Sequence, residues 1–248
     1  MLCHDLKLAL DPVAWVEKAL GFHPDPWQVE VLRSNSPRIL LNNSRQSGKS
    51  SICALLALWT AIYRPRSLVL CLSPSLRQSS ELFHTVSRFY GALSEPVASI
   101  GESALRLELV NGSRIISLPG QEQTVRGYAG VSLLIVDEAA RVPDDLYFSV
   151  RPMLAVSNGR LIALSTPWGK RGWFYEIFKE PTGWKTWTIT ADQCPRISTA
   201  FLEEERRSMP KAWFEAEYFC SFTEPEDSVF GYDDVMRAIS SDVKPLEI

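Results

Sequence analysis

Four short apolar runs stand out along the chain: Arg38 to Asn42, Leu68 to Leu72, Leu133 to Val136 and Leu161 to Ser165. Each is followed by a helical pattern or by a loop leading to one. Continuous apolar runs of this length read as strands buried on both faces, and their alternation with helices predicts a mostly parallel sheet with helices on either side. Between the second and third runs, "RLELVNGSRIISL" alternates on either side of Asn111-Gly112, a strong hairpin signal, so an antiparallel insertion is expected there. After about Asp192 the strand pattern stops. "TAFLEEERRSMPKAWFEAEYFCSF" reads as two short helices broken at Pro210, with Thr199 as N-cap. The expected organisation is an α/β core over residues 1–192 and a small helical lid or linker over residues 193–248.

The chain has 248 residues, 46% of them hydrophobic, enough for one main core with a small appendage. A net charge of -3 gives no global attraction to nucleic acid, so any such contact needs a local patch. Cys3, Cys53, Cys71, Cys194 and Cys220 are odd in number and widely spaced, which reads as reduced core thiols rather than a disulfide frame or zinc site. The apolar run Ile52 to Ile62 is too short to span a bilayer, and Asp5 and Asp11 interrupt any leader-like stretch. A soluble, cytosolic protein with no membrane contact is expected.

The stretch "NNSRQSGKSS" carries the chemistry. Against G-x-x-x-x-G-K-[ST], the eight positions are Asn43, Ser44, Arg45, Gln46, Ser47, Gly48, Lys49 and Ser50, and only the first departs. Asn tolerates the positive φ that this first glycine is expected to adopt, so the exchange reads as mild. The loop follows a predicted strand and precedes "SSICALLALWTAIY", a predicted helix, the setting in which backbone N–H groups hold a polyphosphate. Ser44, Gln46, Ser47, Gly48 and Ser51 are then cradle residues, Lys49 neutralises the β- and γ-phosphates, and the Ser50 hydroxyl is a ligand for Mg²⁺. The plainer alternative is a strand-to-helix turn with a solvated lysine.

"VSLLIVDEAAR" ends an apolar strand in Asp137-Glu138, one carboxylate for a metal and one to orient an attacking water. Asp137 is assigned to Mg²⁺ and Glu138 to the water; the alternative is an acidic pair capping the next helix. The second carboxylate, and the lack of a guanine-reading Asn-Lys-x-Asp, favour ATP. In "FHPDPWQVEVL", Gln28 can pair with the adenine edge while Trp27 packs beside it. Equally, Trp27, Val29 and Leu32 can be the core face of a helix with Gln28 exposed.

Taken in order, "PWQ", "SRQSGKS", "TVRGYAGVSLLIVDEAA" and "LIALSTPWGKRGWFYEIF" resemble the ATPase domain of the large terminase subunit, the DNA-packaging motor of tailed bacteriophages and herpesviruses. The resemblance runs from about Pro24 to Lys179, with a weaker echo in "VFGYDDVMRAI". It implies a P-loop NTPase fold of the RecA-like, additional-strand type, and a phosphate loop that often departs at its first position. It places a γ-phosphate contact on Arg45 and a coupling motif on Ser165, Thr166 and Pro167. Arg126 is the first candidate for an arginine offered to a neighbouring subunit, worth roughly 10³ to 10⁵ in rate where such a finger acts, and Arg141 is the second.

The implied partners are double-stranded DNA, a portal protein, a small terminase subunit and copies of the chain. The copies would form a ring, taken as a pentamer, on the procapsid in the host cytoplasm; the isolated chain is expected to be a monomer. The family's metal-dependent nuclease domain is expected to begin where this chain stops, and Asp233 and Asp234 read as capping or solvated residues. "WGKRGW", with Trp168, Lys170, Arg171 and Trp173, is the stretch where basic and aromatic residues interleave as on a phosphate-tracking surface; its tryptophans can equally pack on the sheet. One rival is a superfamily 2 helicase-like translocase, but it needs a second RecA-like domain for which too little chain follows Asp192; the other is a non-hydrolysing binding module with a purely structural nucleotide, which would not need Glu138.

Overall fold

The computed structural model describes residues 2–94, 96–120, 127–224 and 237–238. Three helices lead in: α1 (Leu2–Leu10), α2 (Pro12–Leu20) and α3 (Pro26–Arg33). Asp11 starts α2 by accepting from the Val13 N–H at 3.0 Å, and Gly21 ends it in the left-handed conformation (φ +59°). Asp25 starts α3 in a capping box with Gln28.

The strands are β1 (Arg38–Asn43), β2 (Leu68–Ser73), β3 (Ser99–Ser103), β4 (Arg106–Leu109), β5 (Arg114–Pro119), β6 (Leu133–Asp137), β7 (Arg160–Ser165) and β8 (Lys185–Ile189). They form one sheet in the order β3-β4-β5-β2-β6-β7-β1-β8. From β5 to β8 all neighbours are parallel, while β3-β4-β5 is the antiparallel insertion. The Asn111-Gly112 turn joins β4 to β5 with Gly112 at φ +80°. The Asn111 side chain also donates to the Ala61 and Ile62 carbonyls at 2.8 and 3.2 Å, satisfying acceptors left over at the end of the neighbouring helix.

That helix, α4 (Lys49–Tyr63), is buried continuously from Ile52 to Ala61, as a helix enclosed by other elements must be. With α2, α3 and α5 (Leu76–Gly91) it covers one face of the sheet around Ile39, Leu41, Val69, Ile135 and Ile162. The other face, carrying Leu40, Leu70, Leu134 and Ala163, packs under α6 (Asp144–Val150) and α7 (Gly172–Lys179). Two helices follow the sheet, α8 (Thr199–Ser208) and α9 (Lys211–Phe219), with a small core of their own made by Ala191, Leu202, Phe214 and Tyr218. The cap of α8 is Ser198, whose hydroxyl accepts from the Phe201 N–H, one residue before the expected Thr199.

Cys53, Cys71, Cys194 and Cys220 are free and buried, and burial pushes the Cys71 thiol up to about 12. No helix among the described residues is long and apolar enough to cross a membrane.

Candidate nucleotide site

All six strands from β5 to β8 point the same way, so the residues at their C-terminal ends share one edge, where open α/β sheets bind ligands. On that edge β1 leads into the loop 44–48 and then α4, whose N-terminus brings a positive dipole end. Asn43 does not take the positive φ expected of it. It is the last residue of β1, fully buried, in register with Ile189 of β8, and it fits because an extended strand position favours no glycine. The positive φ angles fall later, at Gln46 (+58°) and Gly48 (+89°). A Cβ on Gly48 would lie 2.9 Å from Gln28 Nε2, so glycine is required there for space as well as for backbone conformation.

Lys49 Nζ lies 3.2 Å from Glu138 Oε1, with both side chains largely buried. The other Glu138 oxygen accepts from Arg141 Nη1 at 2.9 Å and from Ser165 Oγ at 3.4 Å. One carboxylate therefore ties together the phosphate loop, the end of β6 and the end of β7, and β7 lies between β1 and β6 in the sheet. Glu138 adopts the left-handed conformation (φ +49°, ψ +43°), a cost of about 1–2 kcal/mol for a residue with a Cβ. Strain of that kind collects at functional sites.

Asp137 is buried and its N-terminal neighbours are apolar. Burial, with Glu138 beside it, raises its carboxyl to about 6; Lys49 and the Glu138 N–H pull the other way and do not win. Its ionised form is thus short of positive charge, which is the condition that a divalent cation relieves. Ser50 and Ser51 are half-buried in the first turn of α4, and Thr166 is buried just past β7.

Other candidates are placed less centrally. Arg45 is exposed and pairs with Glu217 of α9 at 3.2 Å, while its N–H donates to the Glu217 carbonyl at 2.8 Å. Arg141 is engaged within its own chain, on Glu138 and over the Trp168 ring at 4.2 Å. Arg126 lies outside the described residues, as do Asp233 and Asp234. Trp27 sits in the core, and Gln28 is buried rather than exposed, its Oε1 accepting from the Asp25 N–H at 2.9 Å. Ser44 and Ser47 are buried in the loop.

The "WGKRGW" stretch does not present its whole set outward: Trp173 is a core residue stacked on Tyr147 at 3.8 Å, with Nε1 donating to the Val142 carbonyl. Lys170 pairs with Glu224 at 2.7 Å. Motif reading missed Arg196 altogether. Its guanidinium reaches Asp25 and the Ser47 carbonyl, a contact spanning 149 positions that no local pattern signals.

A Gly-Lys-Ser loop after one strand, an Asp-Glu pair after another, and a hydroxyl-tipped strand inserted between them define the class as an additional-strand P-loop NTPase fold. A family profile described as "Terminase large subunit, T4likevirus-type, N-terminal" matches residues 40–237, and the chain belongs to that family. It is 30% identical over 186 residues to a large terminase subunit of Thermus phage G20c, covering 67% of this chain and 38% of that protein. To the large terminase subunit of Escherichia phage T5 it is 26% identical, covering 88% and 52% respectively. The chain therefore spans roughly half or less of the length of these relatives. Among solved structures, the large terminase ATPase domain of Thermus phage P74-26 superposes with a TM-score of 0.77 at 26% identity, covering 86% of this chain and 100% of that one. The HK97 bacteriophage large terminase superposes with a TM-score of 0.69 at 15% identity, covering 86% of this chain and 55% of that one, a likeness of fold alone.

Proposed function

We propose that the chain is the ATP-hydrolysing motor part of a viral terminase, coupling Mg-ATP hydrolysis to movement of double-stranded DNA into a procapsid. The observation that carries this reading is the Glu138 carboxylate held by Lys49, Arg141 and Ser165, beside the buried Asp137. The support from relatives is of the same kind: the Thermus phage structure is a large terminase ATPase domain, and the large terminase of another thermophilic bacteriophage, alike in fold, has been solved in complex with ADP and with ATP-gamma-S.

On this reading Lys49 and the loop amides take the β- and γ-phosphates, which requires Lys49 to exchange Glu138 for phosphate oxygen. The released Glu138 is then free to accept a hydrogen bond from the attacking water and orient it in line. Asp137 and Ser50 fit a Mg²⁺ ion, which when bound neutralises developing phosphate charge. Ser165, hydrogen-bonded to the same carboxylate at the end of β7, and Thr166 just past it sense the γ-phosphate. Gln28 faces the adenine, and Arg45 leaves Glu217 for the γ-phosphate.

Arg126 is the arginine offered to a neighbour in the ring, with Arg141 acting inside its own subunit. The helices α8 and α9 act as a lid over the loop, joined to it by the Arg45–Glu217 pair, and the residue after α9 is tied to β1 by Asn42 Nδ2 donating to the Cys220 carbonyl at 2.9 Å. Portal, small subunit and further copies of the chain are the partners, in the host cytoplasm. The test is phosphate release from Mg-ATP by the chain alone and with portal and full-length subunits: release that rises on assembly is expected, and none under either condition refutes the proposal.

A further inference from the structure

Arg196 lies on the short stretch between β8 and α8, far in sequence from the loop it touches. Its Nη1 donates to Asp25 Oδ1 at 2.9 Å, and its Nη2 donates to Asp25 Oδ2 at 2.6 Å and to the Ser47 carbonyl at 3.0 Å. Asp25 is a firm anchor. It is buried, it caps α3, and its own N–H is bound by the Gln28 side chain. The two-pronged pair with Asp25 fixes the plane of the guanidinium, so the third hydrogen bond is delivered in one direction.

The consequence follows from the planarity of the peptide unit. In a trans peptide the C=O of Ser47 and the N–H of Gly48 point in opposite directions. A Ser47 carbonyl held against Arg196 therefore turns the Gly48 N–H away from Arg196. Gly48, at φ +89°, has no side chain to enforce that orientation itself.

We propose that Arg196, anchored by Asp25, is a positioning residue for the phosphate loop: it holds the Ser47 carbonyl outward and so presents the Gly48 N–H to the nucleotide phosphates. This rests on the nucleotide reading of the loop given above. Asp25 lies outside the residues 40–237 matched by the family profile.

The experiment measures ATP affinity by displacement of a fluorescent mant-ATP, with KM and kcat from phosphate release, for wild type, Arg196→Ala and Arg196→Lys, with thermal melting as a check on folding. Lysine keeps the charge and can pair with Asp25, but it cannot reproduce the fixed fork that also serves Ser47. Both variants are expected to raise the Kd and KM for ATP about tenfold, the worth of one charge-assisted hydrogen bond, with kcat little changed. GTP affinity is expected to fall by the same factor, because the loop amides serve any triphosphate.

A Kd unchanged in both variants, while wild type binds ATP, overturns the inference and makes the Arg196–Asp25 pair a purely structural tie. A changed ATP-to-GTP ratio also overturns it, placing Arg196 on the base instead. Should Arg196→Ala not fold, Arg196→Lys carries the same test. Wild type failing to bind ATP would refute the nucleotide reading itself, and this inference with it.

Discussion

Asp137→Asn should make the nucleotide-free protein more stable while abolishing its turnover. The native carboxyl is raised from 3.8 to about 6 by burial and by Glu138. A group whose folded pKa lies above its unfolded one binds its proton more tightly in the folded state. Its contribution to stability is fully present below the unfolded value and is lost as pH rises through the folded value. At pH 7 that loss is complete. About two units at 1.36 kcal/mol each come to about 3 kcal/mol that the ionised carboxylate withholds from the fold. Asparagine, neutral and of the same shape as the protonated acid, does not suffer it.

In a chain of this size the gain corresponds to a melting temperature about 6–12 °C higher at pH 7. The gap between variant and wild type should narrow as pH falls through 6 and close near 4. Mg-ATP at a thousandfold excess over the wild-type Kd should reverse the order, because wild type would gain about 4.1 kcal/mol of binding energy, more than the about 3 kcal/mol that separates the two. Melting curves at pH 4 to 8, with and without Mg-ATP, make the comparison. A variant less stable than wild type at pH 7, or a gap that does not move with pH, would refute the reasoning.

Other consequences are equally direct. The kcat/KM for Mg-ATP should fall as pH drops below about 6 and Asp137 of the free enzyme takes up its proton, which phosphate release at sub-saturating Mg-ATP would show; a flat kcat/KM profile down to pH 5 would count against a metal role for it. Gly48→Ala would force a Cβ to 2.9 Å from Gln28 Nε2 at φ +89°, so ATP affinity should fall at least tenfold, measured by the same displacement assay. Trp173→Ala removes a ring stacked on Tyr147 and a hydrogen bond to Val142, and should cost about 3–5 kcal/mol in urea unfolding. That loss would mark Trp173 as core rather than a DNA contact, and a change under 1 kcal/mol would return it to the surface.

The strands that hold the site were legible because they are buried on both faces: β1, β2, β6 and β7 all read as unbroken apolar runs. The hairpin was legible for a different reason, the backbone demands of Asn111-Gly112. What escaped was the edge of the sheet. β3 ("SIGES") and β8 ("KTWTI") are half-exposed, polar and short, so nothing in their pattern separates them from loop.

In the site, local motifs announced Lys49, Asp137 and Glu138, whose chemistry depends on residue type at a fixed spacing. The ties of Arg196 to Ser47 and of Arg45 to Glu217 join segments about 150 residues or more apart, and only the folded chain brings them together. The error over Asn43 has a similar origin: a motif fixes which residues occur, while the strand register with Ile189 decides which of them bends.

The central claim is that Lys49 binds the triphosphate and Glu138 orients the water. Steady-state phosphate release from Mg-ATP, with ATP binding measured in parallel for wild type, Lys49→Ala and Glu138→Ala, tests it most directly. Lys49→Ala should lose binding, whereas Glu138→Ala should bind ATP as well as wild type or better, being relieved of the Lys49 pairing, and should not turn over. Glu138→Ala turning over at the wild-type rate would contradict it.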